Sequence, residues 1–480
     1  MLAVVRRNTK VRCTAMFNTG SQDFQKSNPS RDYLSLRTLK YVLCWLLLWQ
    51  DGMVGGSAFQ ILENLPIGIP GLSPVPFFTL LLAFVVVLER TLTRDFTLKR
   101  SDFGAPLLLM LLAFFISWCR GSLINQRVTI IYEIQDAFSW PFEYFVILNA
   151  FRDPEEGEVL WKILILAVLP KAVEGMYIYF FSSDDHKNWG VVQDWRDGFL
   201  LGIGAISTML FLHYRGTALL KVRKLVLLGI PFLGFTFIMS YRRTFMLGAL
   251  VSALAMFVTL PRVLWRRQVG LIFGFLLILV FFGAVTNPLG VLARLSGVVD
   301  PQHEGSAYIR LMEYPNVFRN IIDNPIWGTP VGTEWKVYYR MPASSVYTTL
   351  GTHNAYLYWP LRGGILGTVA FFWLFFRLWK SALINNALGK SKEDFFFGQF
   401  GIHLLILYQF ACFFGLLYGG NITALLAVMF TAIKLTAKKV SGCDSYRSVD
   451  MVKTLRSRQL VLKEYNTGNV AAKLAAMLAT

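Results

Sequence analysis

Residues 225–260 read LVLLGIPFLGFTFIMSYRRTFMLGALVSALAMFVTL, two apolar runs separated only by Tyr241, Arg242, Arg243 and Thr244. Neither run alternates apolar with polar residues as a half-buried strand does, and each is long enough for several turns of helix. A helix that is apolar on every side must be buried or must sit in lipid. The hydrocarbon of a bilayer admits only segments that satisfy their own backbone hydrogen bonds, so the stretch reads as two membrane helices joined by a short polar turn.

The same pattern recurs on both sides of this hairpin. Spans are expected at Leu39–Gly55, Leu72–Leu88, Gly104–Trp118, Val128–Asn149, Val159–Phe181, Gly198–Tyr214, Leu225–Ser240, Phe245–Leu260, Val269–Thr286, Ala355–Phe376, Phe395–Tyr418 and Ile422–Leu435. The chain therefore reads as an all-α polytopic membrane protein with about twelve helices. Composition agrees, with 55% hydrophobic and 16% charged residues. No internal repeat is visible by eye, which disfavours transporters built from repeated halves.

The formal net charge of +18 is distributed by topology. Arg90, Arg94, Lys99 and Arg100 fall in one connector, Arg152 and Lys162 in another, then Arg215, Lys221, Arg223 and Lys224, then Arg262, Arg266 and Arg267, then Arg377, Lys380, Lys390 and Lys392. Taken alternately these connectors lie on one side, as do both basic tails, residues 1–38 and 436–480. Lys and Arg resist translocation, so that side is the cytoplasm and both ends of the chain lie there. No nucleic-acid motif accompanies the charge. Nothing in the first 38 residues resembles a cleaved signal peptide, so the first span is expected to act as its own insertion signal. The five cysteines show no paired spacing, which argues against a disulfide framework or a zinc site. Within the membrane domain, residues 39–435, one long connector, 287–354, faces the other side as a large periplasmic loop with a helix-like stretch from Ser306 to Ile322.

Residues that share a reaction must share a membrane face. Of the five histidines, His186, His303 and His353 lie on the outer side, and His353 sits where the long loop re-enters the membrane. It reads either as an interfacial side chain or helix cap, or as a base accessible to water. Arg242, Arg243 and Arg310 lie on the same face, where basic residues are otherwise sparse. Guanidinium groups match phosphate oxygens in bidentate geometry; the alternative is contact with lipid headgroups or a salt bridge to an acid such as Glu313. Within the spans, Glu133, Asp136 and Glu143 share one face of the fourth helix, and Lys171 and Glu174 follow Pro170 in the fifth. Such charges either pair with one another or line a hydrated cavity, and pairing is the simpler reading.

Ser240-Tyr241-Arg242-Arg243-Thr244, then Arg310 followed by Asp323-Asn324-Pro325-Ile326-Trp327-Gly328, then His353-Asn354-Ala355-Tyr356-Leu357 and Gly364-Ile365-Leu366-Gly367 occur in this order. In order, spacing and shared face, this set resembles the O-antigen ligase and polysaccharide polymerase family of bacterial membrane glycosyltransferases. The resemblance implies a GT-C-like enzyme of the inner membrane that takes glycan from an undecaprenyl-pyrophosphate carrier, without metal or other cofactor, and passes it to a glycan or lipid acceptor. Arg243 and Arg310 would hold the pyrophosphate, and His353 would act at the acceptor, with Asn354, Arg362, Asp136 and Glu143 as possible support. The chain departs from the family at Arg242, where a serine often stands and which makes either arginine a candidate, and at Arg362, where an acid is common. Lying nine residues beyond His353, Arg362 would sit about 13 Å deeper on an unbroken helix and pair with the acids of the fourth span or reach a carrier phosphate. Membrane lipids are expected partners, as are other polysaccharide-assembly proteins. Two other readings fit the pattern less fully: a transporter of lipid-linked sugars, suggested by the intramembrane charges, and an assembly scaffold, suggested by Trp327, Trp335, Tyr338, Tyr339 and Tyr347 in the outer loop.

Overall fold

The computed structural model describes residues 31–50, 74–99, 101–125, 129–181, 195–214, 216, 218–240, 242–286, 305–339, 352–389, 391–414 and 423–441. Their regular structure is helical, with no strand. The helices are α1 (Arg31–Gln50), α2 (Pro74–Thr93), α3 (Gly104–Asn125), α4 (Thr129–Ala150), α5 (Glu156–Phe181), α6 (Trp195–His213), α7 (Leu220–Leu228), α8 (Ile230–Met239), α9 (Arg243–Thr259), α10 (Trp265–Thr286), α11 (Gly305–Asp323), α12 (Ala355–Leu388), α13 (Lys392–Cys412) and α14 (Thr423–Ser441).

A helix, or the pair α7 and α8 bent by 52°, lies on each of the apolar runs, and α11 occupies the stretch expected to be helical in the long loop. Among the described residues, α3, α5, α12 and α13 are long and apolar enough to cross a membrane individually, and the bent pair makes a fifth if taken as one span. This is fewer than the twelve expected; among the described residues α6 and α9 are apolar but shorter. The 17 residues of α9 extend about 25 Å, less than the roughly 30 Å hydrocarbon core. The tails 1–30 and 442–480 and the loop stretches 287–304 and 340–351 lie outside the described residues.

The two sets of connectors separate to opposite ends of the bundle. At one end Lys40 binds Glu89 at 2.8 Å, Arg152 meets Asp95, Lys434 meets Asp102, Lys439 meets Glu158, and the Tyr214 hydroxyl donates to Glu393 at 2.5 Å. Every one of these contacts joins connectors or helix ends assigned above to the basic side. At the other end, Arg120 of α3 donates to the Trp327 and Gly328 carbonyls at 3.0 and 3.2 Å, and Tyr314 of α11 donates to the Phe413 carbonyl at 2.8 Å. The core between them is aromatic, with Phe430 of α14 receiving Phe103, Trp140 and Tyr144 edge-on.

The long loop is anchored by a break in α12. Gly364 adopts φ 57° and ψ −152° inside the helix, and the turn carrying Gly328, at φ 67°, inserts there. The Thr329 N–H donates to the Leu361 carbonyl, and the Ile365 N–H is shared by the carbonyls of Pro325 and Ile326 at 3.0 and 3.2 Å. A Cβ on Gly364 would lie 2.1 Å from the Ile326 oxygen, and one on Gly328 would lie 2.6 Å from that of Leu361. Only glycine permits both the positive φ and this backbone approach. The break also gives Arg362 a place in the loop. Fully buried beside it, Arg362 donates to the Pro330 and Thr333 carbonyls at 2.7 and 2.8 Å, holding the loop in place.

On its other side the loop is held by two buried asparagines one turn apart on α11. Asn316 Oδ1 accepts from the Tyr338 and Tyr339 N–H groups at 2.7 Å, while Asn320 accepts from the Lys336 N–H at 2.9 Å and donates to its carbonyl at 2.7 Å. The amides thereby satisfy loop backbone that forms no helix of its own. Val317, Trp335 and Leu361 make a small core beneath them. Trp335 is therefore a packing residue, whereas Trp327, Tyr338 and Tyr339 are exposed.

Candidate functional site

The first turn of α12 and one face of α11 build the site. Asn354 is in extended conformation, and its Oδ1 accepts from the Tyr356 and Leu357 N–H groups at 2.9 and 3.2 Å, so it is the N-cap of α12. The capping role considered for His353 thus belongs to its neighbour, and the imidazole is directed elsewhere. The His353 N–H donates to Glu313 Oε1 at 2.7 Å, and its Nδ1 lies 2.6 Å from Glu313 Oε2. Glu313 is completely buried while the histidine side chain is 42% exposed, so the ring is tethered on one edge and open to solvent on the other.

Arg310, Glu313 and Tyr314 are spaced i, i+3 and i+4 on α11 and so face the same way. Arg310 is half-buried. Burial lowers its pKa, opposed by the neighbouring Tyr314 and Glu313. Burial raises the phenol pKa of Tyr314, opposed by the neighbouring Asn354. The Tyr314 hydroxyl reaches Phe413 just past α13, and Tyr356 reaches the Gln409 carbonyl at 3.3 Å. The end of α13 is thus the post against which α11 and α12 are braced.

The arginine turn lies at that same end. Gly248 of α9 packs against Leu407 and Phe410 of α13, which places the start of α9 beside the last turn of α13. Arg242 stands against Gly198 near the start of α6. One residue earlier, Asp197 meets Lys171 of α5 at 3.2 Å, and Lys171 also meets Glu174 at 3.3 Å. All three are buried, and their pairing accounts for the charges noted in the fifth span. Arg243 opens α9 with its side chain outside the described residues, as are the side chain of Asp136 and the whole of His303.

The structure therefore gathers Arg310, His353 and Asn354, and places Arg242 at the same end of the bundle. Glu143 is buried on α4 beside Thr423 of α14, and Arg362 serves the loop; neither touches the histidine cluster among the contacts described. Sequence reasoning treated Glu313 only as a counter-ion for an arginine. Its spacing from Arg310 on one expected helix was the available signal, but pairing with a residue 40 positions later requires the fold. Among the described residues, no group of three or more His, Cys, Asp or Glu side chains is placed to hold a metal ion.

An imidazole backed by a carboxylate can take a proton from a hydroxyl, and a guanidinium one turn away can receive an anion. Residues 225–372, from α7 into α12, match the family described as O-antigen ligase. The match contains Arg242, Arg243, Arg310, Glu313 and His353, and it supports the O-antigen ligase and polymerase family suggested by the motifs. No curated protein matches the chain in a sequence search.

Proposed function

We propose that this protein transfers glycan from an undecaprenyl-pyrophosphate carrier to a hydroxyl acceptor at the periplasmic face of a bacterial inner membrane. The observation that carries the reading is the juxtaposition of Arg310 with the Glu313 and His353 pair, inside the segment that matches the O-antigen ligase family. The acceptor oxygen attacks the anomeric carbon, the bond to the pyrophosphate oxygen breaks, and His353 takes the hydroxyl proton. The leaving carrier pyrophosphate gathers negative charge, which Arg310 and one or both of Arg242 and Arg243 neutralise. Fixed guanidinium groups supply electrostatic stabilisation of this kind without a divalent cation. Direct displacement inverts the anomeric centre. Both a polymerase, extending one carrier-linked glycan with another, and a ligase, delivering finished glycan to another acceptor, use this donor chemistry.

Purified protein given carrier-linked glycan and acceptor should turn over in excess EDTA. His353→Ala should lower turnover by about two to four orders of magnitude, the usual contribution of a general base, with donor binding retained. Activity lost to EDTA and restored by magnesium or manganese would overturn the arginine mechanism, and full turnover in His353→Ala would place the base elsewhere.

A further inference from the structure

We infer that Glu313 is a positioning residue: it fixes His353 in the tautomer protonated on Nδ1, leaving Nε2 as the basic atom presented to the acceptor. The inference rests on the reaction proposed above and adds to it the residue that sets the proton's place.

Both carboxylate oxygens of Glu313 are committed to the same partner. Oε1 accepts from the His353 backbone N–H at 2.7 Å, and Oε2 faces Nδ1 at 2.6 Å. A carboxylate only accepts hydrogen bonds, so the ring nitrogen opposite Oε2 must donate. Neutral imidazole carries one proton; placing it on Nδ1 leaves the lone pair on Nε2. Among the described residues Nε2 makes no hydrogen bond, and it lies on the edge of a ring that is 42% exposed. The carboxylate itself is 0% exposed, so water does not compete for either oxygen. As Nε2 takes the acceptor's proton, the imidazolium that forms is met by this buried anion at hydrogen-bond distance. The pair is also rigid. Glu313 lies within α11, and Asn354, next to His353, caps the helix that begins there.

A purely structural role, tying the end of the loop to α11, would use the same two hydrogen bonds. Glu313→Gln separates the two roles. The amide offers one acceptor and one donor, and the His353 backbone N–H can only donate, so it must take the amide oxygen. The amide NH2 then faces Nδ1 and can be met only by a lone pair, which moves the ring proton to Nε2. The tether and side-chain size are preserved while the tautomer is reversed.

The experiment uses the full-length protein in detergent or lipid with ¹⁵N-histidine, the His353 signals being assigned by their loss in His353→Ala. Wild type should show a protonated Nδ1 and a bare Nε2, and Glu313→Gln the reverse. Glu313→Gln should reduce kcat by about 10²- to 10⁴-fold, with KM for donor and acceptor and the thermal midpoint nearly unchanged. Glu313→Asp, which retains the carboxylate on a shorter arm, should recover a substantial part of the lost kcat. Wild-type His353 protonated on Nε2 would overturn the inference, as would full turnover of Glu313→Gln with the reversed tautomer. If instead His353→Ala remains fully active, the proposed reaction loses its base whatever the tautomer, so the two failures are distinct.

Discussion

Arg310 is half-buried beside a tyrosine and one turn from a buried glutamate, surroundings that reduce its solvation without removing its charge. A guanidinium tolerates this because its ordinary pKa is so high; an ammonium at the same place does not. Arg310→Lys should therefore fail in two ways. It should bind the donor pyrophosphate more weakly at neutral pH, by about tenfold or more, since a single ammonium cannot make the bidentate contact. Its remaining affinity should decline further as pH rises, because burial lowers a lysine pKa and the charged form is lost above it. Donor affinity of the wild type should show no such alkaline loss from this residue. Titrating carrier-linked donor onto both proteins between neutral and alkaline pH checks this, and a variant that binds like wild type throughout would remove Arg310 from the phosphate site. The arginine and the histidine were legible because both stand out chemically on the expected outer face. Glu313 was not, because an acid near an arginine on one helix has an adequate local explanation.

At the scale of the element, the break in α12 decides where the loop goes. Gly364 meets two demands at once, a φ of 57° and an approach to Ile326 that leaves no room for a side chain. Gly364→Ala should cost at least about 1–3 kcal/mol from backbone strain, with the collision against the Ile326 carbonyl added, and should lower folded yield and thermal midpoint together. Gly234 in α8 is the control, since a Cβ there would meet nothing within 4 Å. Gly234→Ala should be neutral or stabilising by up to about 1 kcal/mol. Equal midpoints for the two variants in detergent would mean that the loop does not depend on the break. The glycine motifs were readable as motifs, but nothing in the order of residues says that Gly328 and Gly364 meet. Asn316 and Asn320 were likewise silent: two asparagines one turn apart resemble a polar helix face until the loop backbone they serve is in place.

At the scale of the molecule, the separation of the connectors to two ends is the geometric counterpart of the alternation of basic loops. The positive-inside rule predicts that the basic end faces the cytoplasm, and labelling measures it. A cysteine at Ser345 should react with an impermeant thiol reagent in intact cells, and one at Ser391, the N-cap of α13, should react only after permeabilisation. The background is favourable among the described cysteines, since Cys44 and Cys412 are buried and Cys119 is half-buried. The opposite labelling would invert the topology and place the histidine site in the cytoplasm.

What the sequence by itself determined is whatever depends on composition and short-range order. Apolar runs must become helices because lipid offers their backbone no other partner, basic connectors must share a side, and a few out-of-place arginines and a histidine mark a face. Tertiary structure alone decided the partners. It tied Arg362 to the loop backbone, assigned the helix cap to Asn354, and joined Glu313 to His353 across 40 residues. The physical reason is that helix periodicity constrains neighbours three and four residues apart. A hydrogen bond between α11 and α12 depends on how the chain between them turns, and here that turn is set by two glycines whose approach becomes visible only once the bundle has closed.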